Sequence, residues 1–85
     1  MPQIVVYSSG FCPYCFWAKG LLNNKNAEFK EIRIDKIPGA HEEMLSKSNG
    51  QVTVPQVFID DFHVGGFDDL QALDRAGELD PKLAG

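Results

Sequence analysis

The chain places its only two cysteines, Cys12 and Cys15, at the junction between a short apolar run and a helical pattern. Ile4–Tyr7 is apolar throughout, as in a strand that is buried on both faces. From Pro13 onward the apolar residues recur at helical spacing, and proline is favoured at the first position of a helix. A strand therefore leads into a helix that begins at the cysteines. A Cys-x-x-Cys pair in this setting is typical of thiol–disulfide redox chemistry.

The remaining sequence continues to alternate strand and helix patterns. The predicted elements are strands at Ile4–Tyr7, 29–34, Gln56–Ile59 and 62–64, helices at 13–23, 38–48 and 67–76, and a loose turn from Glu78. The order β-α-β-α-β-β-α predicts an α/β fold with a four-stranded mixed sheet flanked by three helices. The first two strands should be parallel and the last two antiparallel. We expect one domain, residues 1–85.

Charge and composition argue against several kinds of partner. Lys plus Arg total 8 and Asp plus Glu total 12, a net charge of −4 without a basic stripe, so no nucleic acid is expected. No apolar run approaches the roughly 20 residues that span a membrane. The N-terminal residues lack the pattern of a signal peptide. We therefore expect a cytoplasmic monomer in a reducing compartment, where lasting structural disulfides are rare.

The predicted helix start gives the two cysteines different roles. A free cysteine, with a pKa near 8.5, is only about 3% ionised at neutral pH, and lowering the pKa to about 5 takes roughly 5 kcal/mol. The helix dipole supplies at most about 2 kcal/mol. Amide donors from Tyr14 and Cys15 to a Cys12 sulfur at the N-cap would supply most of the remainder, at about 1.5–3 kcal/mol each. Cys12 is thus the expected nucleophile and Cys15 the buried resolving thiol. Lys19, about 10 Å along the helix, is expected to be a surface charge.

Two other interpretations of the cysteine pair remain open. It could be a structural disulfide, which is unusual in a chain without an export signal. It could also be half of a zinc site, but a closed zinc site needs four ligands. The only histidines, His41 and His63, do not follow a zinc spacing and are expected on the surface. No metal is therefore expected.

Three motifs together resemble the glutaredoxins, in particular their short bacterial dithiol type. They are Cys12-Pro13-Tyr14-Cys15, Thr53-Val54-Pro55 before the third strand, and Gly65-Gly66-Phe67-Asp68-Asp69 before the last predicted helix. The resemblance extends over about residues 4–83. It implies a thioredoxin fold, a cis Val54–Pro55 bond, and glutathione as reductant and co-substrate. Protein disulfides and glutathionylated proteins would be the substrates.

The resemblance also implies a glutathione site. The residues it assigns are Tyr14, Gln51, Thr53, Val54, Pro55, Gly66, Phe67, Asp68 and Asp69. The amides of Phe67 and Asp68 would face the α-carboxylate of the γ-glutamyl end, and the Asp68 or Asp69 carboxylate its ammonium. The alternative is that the aspartates only cap the helix and compensate its dipole, and the two roles are compatible. Tyr14 would flank the bound sulfur or be a plain exposed aromatic. Gln51 would contact the glycyl end or be a solvated loop residue.

The chain departs from the family pattern at two positions. Many relatives have a lysine three residues before the first cysteine, where this chain has Ser9. We therefore expect a weaker glutathione site and a higher Cys12 pKa than in lysine-bearing relatives. Phe67 stands where many relatives have a third cysteine. With Phe11, Phe16 and Trp17 it is expected to form an apolar rim for protein substrates, unless these aromatics serve core packing.

Two other functions compete with the glutathione-dependent reaction. One is a glutaredoxin-like electron donor that thioredoxin reductase reduces, and the pair Asp68–Asp69 favours glutathione over it. The other is an iron–sulfur carrier in which Cys12 from two chains and two glutathiones hold a cluster. Pro13 argues against the carrier, because such relatives usually have a smaller residue there.

Overall fold

The structure, a computed structural model, describes residues 2–84, so Met1 and Gly85, the two ends of the expected domain, lie outside it. The strands are β1 (Ile4–Ser8), β2 (Lys30–Arg33), β3 (Gln56–Ile59) and β4 (Phe62–Gly65). The helices are α1 (Pro13–Asn24), α2 (Ala40–Lys47), α3 (Phe67–Arg75) and α4 (Leu79–Ala84). The strand order is β2-β1-β3-β4. The β1–β2 pair is parallel and the other two pairs are antiparallel, which confirms the predicted mixed sheet.

The apolar run of β1 explains its central position. Successive side chains of a strand point to opposite faces, so an uninterrupted apolar strand needs cover on both. Ile4 and Val6 belong to the core cluster that also contains Ala18 and Leu22 of α1. Tyr7 belongs to the second cluster, on the side of α2. Helices therefore cover both faces of the sheet.

The strand register brings three chain segments to one edge of the sheet. Tyr7 near the end of β1 lies opposite Gln56 at the start of β3. Val57 lies opposite Gly65, the last residue of β4. The loop into α1, the segment before β3 and the first turn of α3 therefore meet at the same edge. The three motifs found in the sequence are carried by these three segments.

Most predicted elements are shifted by at most one residue at an end, and two differ by more. The second helix begins at Ala40 and not at Pro38, because Gly39 has a left-handed φ of 81° that a helix cannot accommodate. The expected loose turn near the C-terminus is the six-residue helix α4. Gly77, with φ of 74°, turns the chain after α3, and Leu79 is then completely buried in the main core cluster. The described residues thus form four helices where three were predicted.

Candidate functional site

Cys12 is the N-cap of α1, as the sequence predicted. Its backbone is extended, with φ of −135° and ψ of 95°, and Pro13 occupies the first helical turn. The Cys15 amide donates a hydrogen bond to Cys12 Sγ over 3.1 Å. The amides of Tyr14 and Cys15 were both expected to donate to this sulfur, and the structure shows the bond from Cys15. The sulfur therefore lies at the positive end of the helix dipole.

Cys12 and Cys15 are joined as a disulfide. Their Cα atoms are 5.2 Å apart, within the usual range for a disulfide of about 4.4–6.8 Å. Cys12 is half-buried, whereas Cys15 is only 2% exposed. An approaching thiol can therefore reach Cys12 much more easily than Cys15. This asymmetry is what a nucleophilic and a resolving cysteine require.

The segment before β3 forms a second side of the site. The Val54–Pro55 peptide bond is cis, as the resemblance implied. The Val54 carbonyl oxygen lies 3.7 Å from Cys12 Sγ. The backbone of this segment is therefore directly beside the reactive sulfur.

The start of α3 forms the third side. Asp69 Oδ2 accepts a hydrogen bond from the Gly66 amide over 3.1 Å, so Asp69 does serve as a helix cap. Its carboxylate also fills the space beside Gly65, where φ is 112° and a side chain would collide with it. The amides of Phe67 and Asp68 lie in the first turn, where a helix provides no acceptor. This corner therefore offers free amide donors and the exposed carboxylate of Asp68.

All nine residues that the resemblance assigned to glutathione line one open groove of about 300 Å³. They are Tyr14, Gln51, Thr53, Val54, Pro55, Gly66, Phe67, Asp68 and Asp69. The volume lies at the small end of the range for small-molecule sites, about 300–1,000 Å³. The amides of the helix start favour an anion and the aspartates favour a cation. The groove thus suits a small ligand that carries both charges.

Gln56, a completely buried polar residue that was not predicted from the sequence, supports the groove. Its amide nitrogen donates to the carbonyl oxygen of Thr53 over 3.0 Å and faces Gln51 Oε1 over 3.4 Å. Its oxygen lies 2.7 Å from His63 Nε2. Because the amide oxygen can only accept, His63 donates through Nε2. A glutamine at the start of an apolar strand was the available signal, since a buried amide needs hydrogen-bond partners.

Comparison with known proteins identifies the family of the chain. Residues 4–64 match the family model described as Glutaredoxin. The chain belongs to the glutaredoxin family. It is 49% identical over 84 residues to a glutaredoxin of Pseudomonas aeruginosa, covering 99% of both chains. It is also 49% identical over 83 residues to glutaredoxin 3 of Escherichia coli, covering 98% of this chain and 99% of the relative. The expected short bacterial type is thereby confirmed.

Solved glutaredoxin structures confirm the thioredoxin fold. A buckwheat glutaredoxin–glutathione complex superposes with a TM-score of 0.88 at 34% identity, covering 98% of this chain and 77% of the other. The solution structure of a Brucella melitensis glutaredoxin gives a TM-score of 0.84 at 47% identity, with coverage of 98% and 89%. Family membership and the paired cysteines support a role as a redox protein of the oxidoreductase class.

The ion pair between Arg33 and Asp35 holds the loop that leads into Cys12. Arg33 forms two hydrogen bonds to Asp35, of 2.9 and 2.8 Å, and this contact lowers the pKa of Asp35 to about 2. The Gly10 amide donates to the same carboxylate over 3.1 Å. Arg33 therefore contacts this loop through Asp35 and brings a positive charge to it. Ser9, within the loop, is uncharged. The sequence analysis did not identify this pair.

Lys19 is a surface charge, as predicted. Its ammonium lies 2.7 Å from Glu31 Oε2. The Ser8 hydroxyl donates to the same oxygen over 2.6 Å. Lys19, and after it Ser8, hold the pKa of Glu31 below its usual value. Lys19 therefore forms its ion pair with Glu31 of β2 and not with a cysteine sulfur.

The four aromatic residues expected at the rim divide into exposed and packed ones. Phe11 is fully exposed, Phe16 is 71% exposed and Trp17 is 49% exposed. Phe67 is half-buried and packs against the main core cluster. Its ring centroid lies 5.9 Å from that of Trp17 and 6.3 Å from that of Tyr14. Phe67 therefore packs against the core and also contacts the aromatic rings at the surface.

A larger groove of about 620 Å³ lies elsewhere, with Tyr7 and Lys47 among its walls, and no cysteine lines it. Burial raises the pKa of Tyr7, so its hydroxyl stays protonated at neutral pH.

Among residues 2–84, no group of three or more His, Cys, Asp or Glu side chains is placed to hold a metal ion. Over the same span, every helix is too short or too polar to cross a bilayer.

Proposed function

We propose that this glutaredoxin is a glutathione-dependent thiol–disulfide oxidoreductase. It reduces protein disulfides and glutathione mixed disulfides in the cytoplasm. The observation that carries the proposal is the position of Cys12 at the N-cap of α1, beside one groove that contains all nine assigned residues. The buckwheat relative of the same fold is a complex with glutathione, which supports glutathione as the ligand here.

The groove suits the two ends of glutathione differently. The γ-glutamyl carboxylate would accept hydrogen bonds from the amides of Phe67 and Asp68 at the start of α3. The ammonium would pair with Asp68, because the Asp69 carboxylate already accepts from the Gly66 amide. The glycyl end would then extend toward Gln51, which also lines the groove. This orientation leaves the glutathione sulfur between the two ends, near Cys12.

In the one-cysteine route, Cys12 alone carries the chemistry. Its thiolate attacks the glutathionyl sulfur of a protein–glutathione mixed disulfide, forms a Cys12–glutathione disulfide and releases the protein thiolate, which takes up a proton. The thiolate of a second glutathione then attacks the glutathionyl sulfur. Glutathione disulfide leaves and the Cys12 thiolate is restored. The sulfur of the second glutathione is oxidised as the substrate cysteine is reduced, and the glutathionyl sulfur remains at the disulfide level throughout.

In the two-cysteine route, Cys12 attacks a protein disulfide and forms a mixed disulfide with the protein. The Cys15 thiolate then attacks the Cys12 sulfur and releases the reduced protein. The product is the Cys12–Cys15 disulfide, the pairing present in the structure. Two glutathiones reduce it again and leave as glutathione disulfide.

The test compares Cys12→Ser with Cys15→Ser on the mixed disulfide of glutathione and cysteine, coupled to glutathione reductase and NADPH. We expect Cys12→Ser to abolish turnover and Cys15→Ser to retain it, because the one-cysteine route does not use Cys15. Activity in Cys12→Ser would refute the assignment of the nucleophile. Reduction of the wild-type disulfide by thioredoxin reductase, but not by glutathione, would refute the choice of reductant.

A further inference from the structure

A groove of about 390 Å³ lies between α1 and α3 and adjoins the proposed glutathione groove. The glutathione groove is the first groove of the site, and this one is the second groove. Phe67 is a wall of both grooves. At the end near the cysteines the second groove is lined by Phe16 and Trp17, and at its far end by Asn24 and Arg75. Its near end is therefore aromatic and continuous with the reactive site.

The length of this second groove corresponds to a short peptide. Its lining on α1 extends from Phe16 to Asn24, and eight helical residues rise about 12 Å at 1.5 Å each. An extended chain covers that distance in about three to four residues. The exposed rings at its near end are of the kind that marks protein-binding surfaces.

Gly20 has no side chain that could fill the second groove. It lies inside α1 and lines the groove, although glycine is among the least favourable residues in a helix interior. A Cβ at this position would meet no atom within 4 Å. The packing of the described chain therefore does not require a glycine here. The empty space is available to a molecule other than this chain.

We propose that the second groove binds the polypeptide part of a glutathionylated protein substrate, an inference that rests on the proposed function. The glutathionyl half of such a substrate occupies the first groove, so the protein half must leave the site across the adjoining surface. That surface is made by Tyr14, Trp17 and Phe67, whose rings contact one another at centroid distances of 5.2–6.3 Å. The groove selects substrates that have an apolar side chain within about four residues of the modified cysteine.

The chemistry of this step is the same exchange. Cys12 attacks the glutathionyl sulfur, the bond from that sulfur to the substrate cysteine breaks, and the substrate cysteine leaves as a thiolate that takes up a proton. Apart from Phe67, which lines both grooves, the residues of the second groove touch only the leaving polypeptide. The second groove therefore changes kcat/KM for peptides and proteins, but not for a small disulfide that cannot reach it.

The experiment uses three glutathionylated substrates and the full chain. Two are peptides of equal length and charge, one with Phe and Leu next to the cysteine and the other with Ser at both positions. The third is the mixed disulfide of glutathione and cysteine. For the wild type we expect kcat/KM to be about tenfold higher on the apolar peptide than on the serine peptide, the effect of partly burying one apolar side chain.

Gly20→Gln fills the second groove and Gly20→Ala is its matched control. Both residues are better helix formers than glycine, so both variants should fold, which thermal unfolding checks. We expect Gly20→Gln to remove the preference for the apolar peptide while leaving the small disulfide unchanged. Gly20→Ala should keep the preference. Phe16→Ser, a change at an exposed side chain, should reduce it by several fold.

Each contrary outcome has a distinct meaning. Equal kcat/KM on the two peptides, or an equal loss on all three substrates in Gly20→Gln, would overturn the docking proposal while leaving the proposed function intact. Failure of the wild type on the small disulfide would refute the proposed function, and the docking proposal with it. A dimer that Gly20→Gln converts to a monomer would assign the groove to a second copy of the chain.

Discussion

Cys12 and Cys15 are only three residues apart at the start of α1, yet their sulfurs differ in access and in hydrogen bonding. Cys12 precedes the helix and accepts the Cys15 amide, whereas Cys15 lies inside the helix and is almost completely buried. Pro13 causes this difference, because a proline at the first helical position makes the preceding residue the N-cap. The different environments of the two cysteines could therefore be predicted from the local sequence, whereas their catalytic roles stay a prediction.

Ser9 should limit the acidity of Cys12, and Ser9→Lys tests this. A lysine near the sulfur would favour the thiolate by about 1 kcal/mol in water-like surroundings, which is somewhat less than one pKa unit. We expect a lower Cys12 pKa and a lower KM for glutathione. Both effects should shrink at high salt, because salt screens exposed charges. Ser9→Gln is the uncharged control, and equal titration of the two variants would contradict the expectation.

At the scale of elements, the site depends on how the segment before β3 is held. The two hydrogens of Gln56 Nε2 are shared among three acceptors, the carbonyl and hydroxyl oxygens of Thr53 at 3.0 and 3.2 Å and Gln51 Oε1 at 3.4 Å. Both residues line the proposed glutathione groove. Gln56 itself is not among its walls, so it acts as a positioning residue.

Gln56→Leu should loosen this segment. Removing the amide deletes the hydrogen bonds to the Thr53 carbonyl and to His63 Nε2, and such bonds contribute about 0.5–1.5 kcal/mol each to stability. We expect the KM for glutathione to rise several fold while kcat at saturation changes little, because Cys12 keeps its own contacts. Steady-state kinetics measures both constants. The control is Ile59→Val at the other end of β3, which should cost about 0.5–1.5 kcal/mol without raising KM. Equal KM values in the two variants would argue against a positioning role.

The elements that local pattern determines could be predicted, and those that depend on distant contacts could not. The apolar run of β1 and the proline at the start of α1 are local signals, and both elements were correct. The residues of the groove followed from the family resemblance, and the structure brings them together. The bonds of Gln56 reach only three to seven residues along the chain, but they depend on the complete burial of its side chain. The tether of Asp35 to Gly10 and the burial of Leu79 join residues that are far apart in sequence. No short-range pattern specifies such contacts.

At the scale of the molecule, the C-terminal helix closes the core that supports α1 and α3. Leu79 is completely buried in the cluster that contains Leu22 of α1 and Leu70 of α3. Lys25, just after α1, lies 2.7 Å from Asp74 of α3 and 3.1 Å from Asp80 of α4. These contacts fix the two helices whose N-terminal ends carry the site.

Leu79→Ala should therefore destabilise the whole molecule. A buried leucine truncated to alanine typically costs about 2–5 kcal/mol. For a domain of this size each kcal/mol lowers Tm by about 4–8 °C. Leu83→Ala, in the same helix but only partly buried, is the control and should cost less. Thermal and urea unfolding measure both, and a Tm unchanged by Leu79→Ala would mean that α4 does not contribute to the core.

The proposed function depends on the start of α1 holding the Cys12 sulfur as a reactive anion. The most direct measurement is the pH dependence of Cys12 alkylation in Cys15→Ser, which removes the second thiol but keeps the amide that donates to Cys12. We expect the rate to reach half its maximum at a pH well below the value of about 8.5 for a free cysteine. A midpoint at that value would contradict the account.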